Sequence, residues 1–336
     1  MRDRFNREIN YMRISVTQAC NFRCIYCQPN PSSQTASSLL TRDELVCICR
    51  QAVRLGITRF KITGGEPLLR PDVAQIVRDI KAIPGVGQVT LTTNGFLLKE
   101  KLEELAEAGL DGINISLDTL QETRFREVTR VDGLHQVLEA IEESRKRFPT
   151  KLNVVLLKGI NEEEWLDFIR FGKEHGVIVR FLEWMPLGGS KTEQTVDNRE
   201  LIKLLREREP KLQKLKPKTP IASDAEKQTF GNGPAEYYYL PREKVWVGFI
   251  SAMHNRFCEN CNRIRLTATG ELKGCLCYAK QDSLREILSD RGLTDNRREE
   301  LIHKKLQKVI YEKPLMHHLE NQEKTTEKST MKDIGG

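Results

Sequence analysis

Cys20-x3-Cys24-x2-Cys27 places three thiols on one short segment, directly after a strand-like run that begins at Tyr11 (YMRISV). Thiolates are soft ligands that suit iron–sulfur clusters or zinc. A structural zinc site is closed by four ligands, and no fourth Cys or His stands near this segment. Three ligands on a four-iron cube leave one iron open, which is what a reactive cluster needs. A second set, Cys258-x2-Cys261-x13-Cys275, again offers three thiols. Cys277 adds a C-x-C pair, so a closed four-cysteine zinc site stands as the alternative there. The remaining two cysteines, Cys47 and Cys49, lie in an apolar helical stretch and read as core.

The elements that must carry these loops repeat one theme. Six β-branched or aromatic runs begin near Tyr11, Thr58 (TRFKI), Gln88 (QVTLT), Gly112 (GINIS), Lys151 (KLNVVL) and Val177 (VIVRFL), with amphipathic segments between them. Thr41-Arg42-Asp43-Glu44 has the form of a capping box and opens the first major helix. Pro71-Asp72 and the segment after Asn161-Glu162-Glu163-Glu164 open others. Strands alternating with helices predict parallel pairing through right-handed crossovers. No G-x-G-x-x-G follows the first strand, which disfavours a dinucleotide fold. The cysteines and other unusual residues fall in post-strand loops, where β/α barrels build their sites. The expected fold is therefore α/β: an incomplete (β/α)6 TIM-type barrel with a smaller C-terminal domain carrying the second cysteine set. We place the barrel at residues 1–220 and the smaller domain at 221–318, followed by a flexible polar tail over 319–336. The basic, proline-rich stretch from Pro210 to Pro220 reads as a solvated loop at that boundary.

Composition bounds the rest. The 336-residue chain is 39% hydrophobic and 30% charged, with no apolar run long enough to span a bilayer. The start, Met1-Arg2-Asp3-Arg4-Phe5, lacks a secretory apolar stretch, so the expected home is cytoplasmic. Reduced thiols, and not disulfides, are expected there. The net charge of +7 fits a solvated surface or a small polyanionic substrate. Neither an RNP pattern nor a helix-turn-helix signature is present, so no nucleic acid and no membrane is expected as partner.

CNFRCIYC has the form of the radical S-adenosylmethionine (SAM) enzymes, with an aromatic before the third cysteine, and Ile62–Pro67 (ITGGEP) resembles that superfamily's GGEP element. Paired glycines let backbone approach a ligand closely, and exposed carbonyls with Glu66 nearby can accept hydrogen bonds from an ammonium group. FCENCNRIRLTATGELKGCL resembles the C-terminal cluster segment of the GTP 3′,8-cyclases, the MoaA family of molybdenum-cofactor biosynthesis. The likeness extends through LTTNG, INISLD, KLNVVLLKGIN, RFLEWMP and the terminal Met331-x-x-Ile334-Gly335-Gly336.

This resemblance implies a lyase with two 4Fe–4S clusters, on Cys20, Cys24 and Cys27 and on Cys258, Cys261 and Cys275, with Cys277 a spare thiol. The first cluster cleaves SAM to a 5′-deoxyadenosyl radical, which takes hydrogen from the ribose C3′ of GTP. Closure on guanine C8 then gives (8S)-3′,8-cyclo-7,8-dihydroguanosine 5′-triphosphate. The resemblance also implies that Tyr26, Gly65, Ser116 and Met185 line the SAM pocket. Arg13, Lys61, Thr92, Lys151, Arg180, Arg263 and Arg265 would contact GTP. Lys61 replaces the family's usual arginine, keeping charge and losing the fork. Gln28 replaces a common methionine. Gly335 and Gly336 would enter the active site as a diglycine tail. Expected partners are a reductant protein or small electron donor, a pterin synthase that takes the product, and a second copy of the chain in a homodimer. A radical SAM enzyme acting on a peptide is the alternative within the superfamily.

Overall fold

In the strands, residues alternate between two faces, and here the two faces have opposite character. Met12 and Ile14, Phe60 and Ile62, Val89 and Leu91, Ile113 and Ile115, Leu152 and Val154, and Val179 and Phe181 are all at most 1% exposed. They form one apolar face under the helices. Arg13, Lys61, Thr92, Asn114, Lys151 and Arg180, one position out of phase, line a cavity on the other face.

The computed structural model describes residues 1–27, 39–187, 194–215, 230, 233–319, 327 and 329–335. Gln28 and Gly336 lie outside the described residues. In chain order the elements are β1 (Tyr11–Ser15), α1 (Arg42–Arg54), β2 (Arg59–Thr63), α2 (Val73–Lys81), β3 (Gln88–Thr93), α3 (Leu98–Glu107), β4 (Gly112–Ser116), α4 (Glu122–Thr129), α5 (Leu134–Arg147), β5 (Thr150–Val155), α6 (Trp165–His175) and β6 (Ile178–Leu182). Next come α7 (Asn198–Arg208), β7 (Gln213–Lys214), β8 (Glu236–Leu240), β9 (Val245–Ile250), β10 (Arg263–Leu266), β11 (Glu271–Lys273), β12 (Asp282–Ser283), α8 (Arg285–Ser289), α9 (Asp295–Tyr311) and α10 (Met331–Ile334).

All six expected strands form, and they pair in parallel from β1 to β6 in sequence order. The capping box is made as expected: Thr41 Oγ1 accepts from the Glu44 amide at 3.2 Å, and Glu44 accepts from the Thr41 amide at 2.7 Å. These pairs satisfy amide donors that the first turn of α1 leaves without helical partners.

Strands from beyond residue 220, with β7 from the Pro210–Pro220 stretch expected to be a loop, extend the same sheet at both edges. β9 runs parallel to β6 and β10 parallel to β1, while β8, β7, β11 and β12 add antiparallel margins. The partial barrel and the C-terminal segments therefore share one twelve-stranded sheet. Tyr11 pairs with Arg263 and Arg13 with Arg265. This register fixes which end of the barrel each cysteine set occupies. Cys20, Cys24 and Cys27 follow β1 and lie at the C-terminal ends of the parallel strands. Cys258 and Cys261 precede β10, and Cys275 follows the antiparallel β11, so this set enters from the N-terminal ends. The two sets face each other along the barrel. Among the described residues no helix is long and apolar enough to cross a membrane.

Candidate functional site

One cavity runs between the two cysteine sets and is lined by every cysteine of both. The first loop is held by the GGEP segment through backbone. The Gly65 amide donates to the Thr17 carbonyl and the Glu66 amide to the Ala19 carbonyl, each at 2.7 Å. A Cβ on Gly65 would stand 2.3 Å from the Ala19 oxygen, so only glycine permits this approach. Glu66 proves to be a brace: its oxygens accept from Thr93 Oγ1, Asn94 N and Leu68 N at 2.6, 2.7 and 3.1 Å. Burial pushes its carboxyl up to about 7 against those donors. This carboxylate ties the segment after β2 to the end of β3.

Tyr26 turns from the cysteine loop toward β4, its hydroxyl donating to Asp118 Oδ2 at 2.5 Å. The other Asp118 oxygen accepts from the Val155 amide at 2.8 Å. Burial raises the Asp118 carboxyl to about 6, although Tyr26 and Val155 pull it down. Asp118 thus joins the cysteine loop to β4 and β5. It stood in plain sight at the end of INISLD, yet a strand-end aspartate has no partner that sequence can name.

The cysteine side chains suit clusters better than a single ion. Among the described residues, the only three Cys, His, Asp or Glu donors that all lie within 4.8 Å of one another are those of Glu183, Asp197 and His254. Neither cysteine set closes that far. Thiolates around zinc at about 2.3 Å would stand about 3.8 Å apart, so the structure weighs against the four-cysteine zinc alternative. Within each set the sulfurs still feel one another's charge. Burial raises all three thiols of the first loop, Cys27 to about 12, so ligation there must displace protons.

At the second set burial also raises Cys261, but the charges of Lys313 and Arg263 outweigh it and bring the thiol to about 7. Cys275 and Cys277 share a buried hydrogen bond, which holds the Cys275 thiol below its ordinary value and pushes Cys277 up. Arg7 braces this loop: it pairs with Asp3 and donates to the carbonyls of Cys258, Pro314 and Leu315 at 2.7–2.8 Å. Lys313 follows α9, where solvation is the ordinary expectation for a lysine, and its local sequence carries no sign of its approach to the cysteines.

Between the sets, register builds a cationic wall. Arg265, Arg13 and Lys61 stand side by side on β10, β1 and β2. Thr92, Asn114 and Lys151 form a second row, and Ser116, Asn153 and Arg180 a third. Burial lowers Arg13, Lys61 and Arg265, the last to about 9, and their mutual charges and those of Arg180 and Arg263 add to it. Burial, then Arg180, brings Lys151 to about 7. The Nε atoms of Arg13 and Arg180 are buried without a hydrogen-bond partner. Arg263 stacks on Phe257 with its guanidinium carbon 4.8 Å from the ring centre. Met185 lines the same cavity and packs against Leu187, Leu276, Cys277 and Ile334.

The chain's end lies here too. The backbone of Lys332 donates to Cys27, Ile334 packs beside Cys277, and Arg265 Nη1 donates to the Gly335 carbonyl at 2.8 Å. Gly335 has φ +84°, and a Cβ there would meet Ser15 Cβ at 2.6 Å. Gly335, the last described residue, is thus held by a side chain of the cationic wall. Gly336 falls outside the described residues.

A partial β/α barrel whose first post-strand loop carries three convergent cysteines, backed by a GGEP segment, defines the radical SAM class of enzymes. Residues 14–172 match the Radical SAM superfamily, and residues 177–319 match Molybdenum Cofactor Synthesis C. Over the whole of both chains the sequence is 39% identical to GTP 3′,8-cyclase of Clostridium perfringens (strain 13 / Type A) and 40% identical to that of Alkaliphilus metalliredigens (strain QYMF). The fold is similar to that of Streptococcus suis SuiB, with TM-score 0.62 at 16% identity, over 92% of this chain and 67% of that one. The chain belongs to the GTP 3′,8-cyclase family of the radical SAM superfamily.

Proposed function

We infer that this protein cyclises GTP to (8S)-3′,8-cyclo-7,8-dihydroguanosine 5′-triphosphate, the first step of molybdenum-cofactor biosynthesis. The observation that carries the reading is the single cavity joining two three-cysteine sets across a wall of buried cations. Cys20, Cys24 and Cys27 would hold one 4Fe–4S cluster, and Cys258, Cys261 and Cys275 a second. Bound there, the first would supply the electron that splits SAM, and the second would offer Lewis-acidic iron toward the guanine.

The protein's own residues position the reactants. Tyr26, Gly65, Ser116 and Met185 line the end where SAM would sit. Arg13, Lys61, Lys151, Arg180, Arg263 and Arg265 match a triphosphate, since guanidinium forks pair with phosphate oxygens and lysines add point charge. Thr92, with its hydroxyl accepting from Asn114 Nδ2 at 3.3 Å, borders the same space. Holding the ribose against the adenosyl carbon is where the protein earns its rate. The electron comes from an external reductant, the product passes to a pterin-forming synthase, and the working unit is a homodimer.

The direct test is anaerobic reconstitution with iron and sulfide, then product analysis with GTP, SAM and a reductant. Cyclised triphosphate and 5′-deoxyadenosine are expected together. Deoxyadenosine unresponsive to GTP, with no cyclised product, would discard the reading.

Lys151 adds a pH signature. With its ammonium near 7 in the ligand-free site, a bound triphosphate would restore the proton. At pH 8, GTP binding should therefore take up protons, and affinity should weaken as pH rises above about 7. Calorimetry in two buffers of unlike ionisation enthalpy measures this, and Lys151→Met should reduce the uptake. Equal uptake in wild type and variant would reject Lys151 as the group.

A further inference from the structure

Lys273 is the most buried lysine of the sheet, with a side chain 1% exposed, and its Nζ donates to Glu327 Oε2 at 2.5 Å. The Glu327 side chain is equally enclosed, at 2%. Its second oxygen accepts from the Ser329 amide at 2.9 Å. Lys273 pairs in register with Arg265, and Arg265 holds the Gly335 carbonyl. The segment from Glu327 to Gly335 is thus hung from two side chains that are neighbours on adjacent strands. Between these two points, Thr330 and Asp333 close a capping box that sets the single turn of α10.

Two ions are expensive to bury, and removing one leaves the other stranded, so such pairs mark specificity of placement more than stability. In the tail, Asp333 is spent on its own cap and Lys332 bears the wrong sign for an ammonium. The length of chain from Glu327 to Gly335 then decides where Lys332 and Gly335 fall relative to Cys27 and Arg265. We propose that Lys273 and Glu327 form a latch that sets the register of the C-terminal segment in the cavity, making both positioning residues for the cyclisation. The proposal rests on the reading that this segment completes the active site.

Glu327→Gln in the full-length protein is the test, since it keeps side-chain shape and lies outside the sheet. Hydrogen–deuterium exchange of the 331–335 amides in the ligand-free protein should rise about a hundredfold, the scale set by breaking a buried pair. The melting temperature should fall as well, because Lys273 is left charged and unpaired, so exchange is compared at a temperature where the amides of β1 to β6 stay protected. In reconstituted enzyme, product per 5′-deoxyadenosine should fall while deoxyadenosine formation persists. Unchanged exchange at 331–335 would overturn the latch. Raised exchange with an unchanged product ratio would leave the latch standing and overturn the reading that the tail helps aim the chemistry.

Discussion

Gly65→Ala yields a protein that cannot hold iron on Cys20, Cys24 and Cys27, although it changes none of them. The added Cβ would stand 2.3 Å from the Ala19 oxygen and 2.7 Å from the Gln18 oxygen. Both obstacles are backbone, so no rotamer relieves them. The loop cannot simply lift, because the Gly65 and Glu66 amides bind it at Thr17 and Ala19 and Cys20 is the next residue. A displacement of about 1 Å at a reacting centre costs about a hundredfold, and here a ligand is displaced. We expect 5′-deoxyadenosine formation to fall at least that far. Iron and labile sulfide should drop to the level of Cys20→Ser, with the second set still loaded. Wild-type SAM cleavage by the alanine variant would show that the contact is not what holds the loop.

The contrast between residues explains what sequence conveyed. Strands were legible because the alternation of Met12 and Ile14 with Arg13, or of Leu152 and Val154 with Lys151, is local, and so was the Thr41–Glu44 cap. Cysteine spacing on one loop is local as well, and Gly335 was placed by likeness of the terminal motif. What escaped depends on pairing between distant segments. That the second cysteine set enters from the opposite end of the barrel follows from Tyr11 meeting Arg263, and nothing near either residue announces it. Arg7 on the Cys258 carbonyl, Lys313 beside Cys261 and Glu327 on Lys273 have the same origin. Two of the three donors on Glu66 come from the β3 end and share that origin.

Arg265→Met should melt no lower than the parent and yet lose GTP. The guanidinium is buried beside Arg13 and Arg263, and burial first, then those two charges, hold it down to about 9. A cation whose folded value lies below its unfolded one destabilises the fold at neutral pH, and that cost fades only as pH rises past about 9. Methionine keeps much of the volume and removes the repulsion, against which stands one lost charge-assisted hydrogen bond to the Gly335 carbonyl, worth about 1.5–3 kcal/mol. Function reverses the balance. Charge-assisted bonds to phosphate contribute about 1.5–3 kcal/mol each, so GTP affinity should fall between about tenfold and a hundredfold. Release of Gly335 should then lower product further, with SAM cleavage surviving because Cys20, Cys24 and Cys27 are untouched. Arg265→Lys keeps the charge without the fork, and should retain the low stability while recovering only part of the binding. A methionine variant that melts several degrees lower and binds GTP normally would mean that the buried cations serve the fold, whereas the opposite pair of results assigns their strain to the substrate they await.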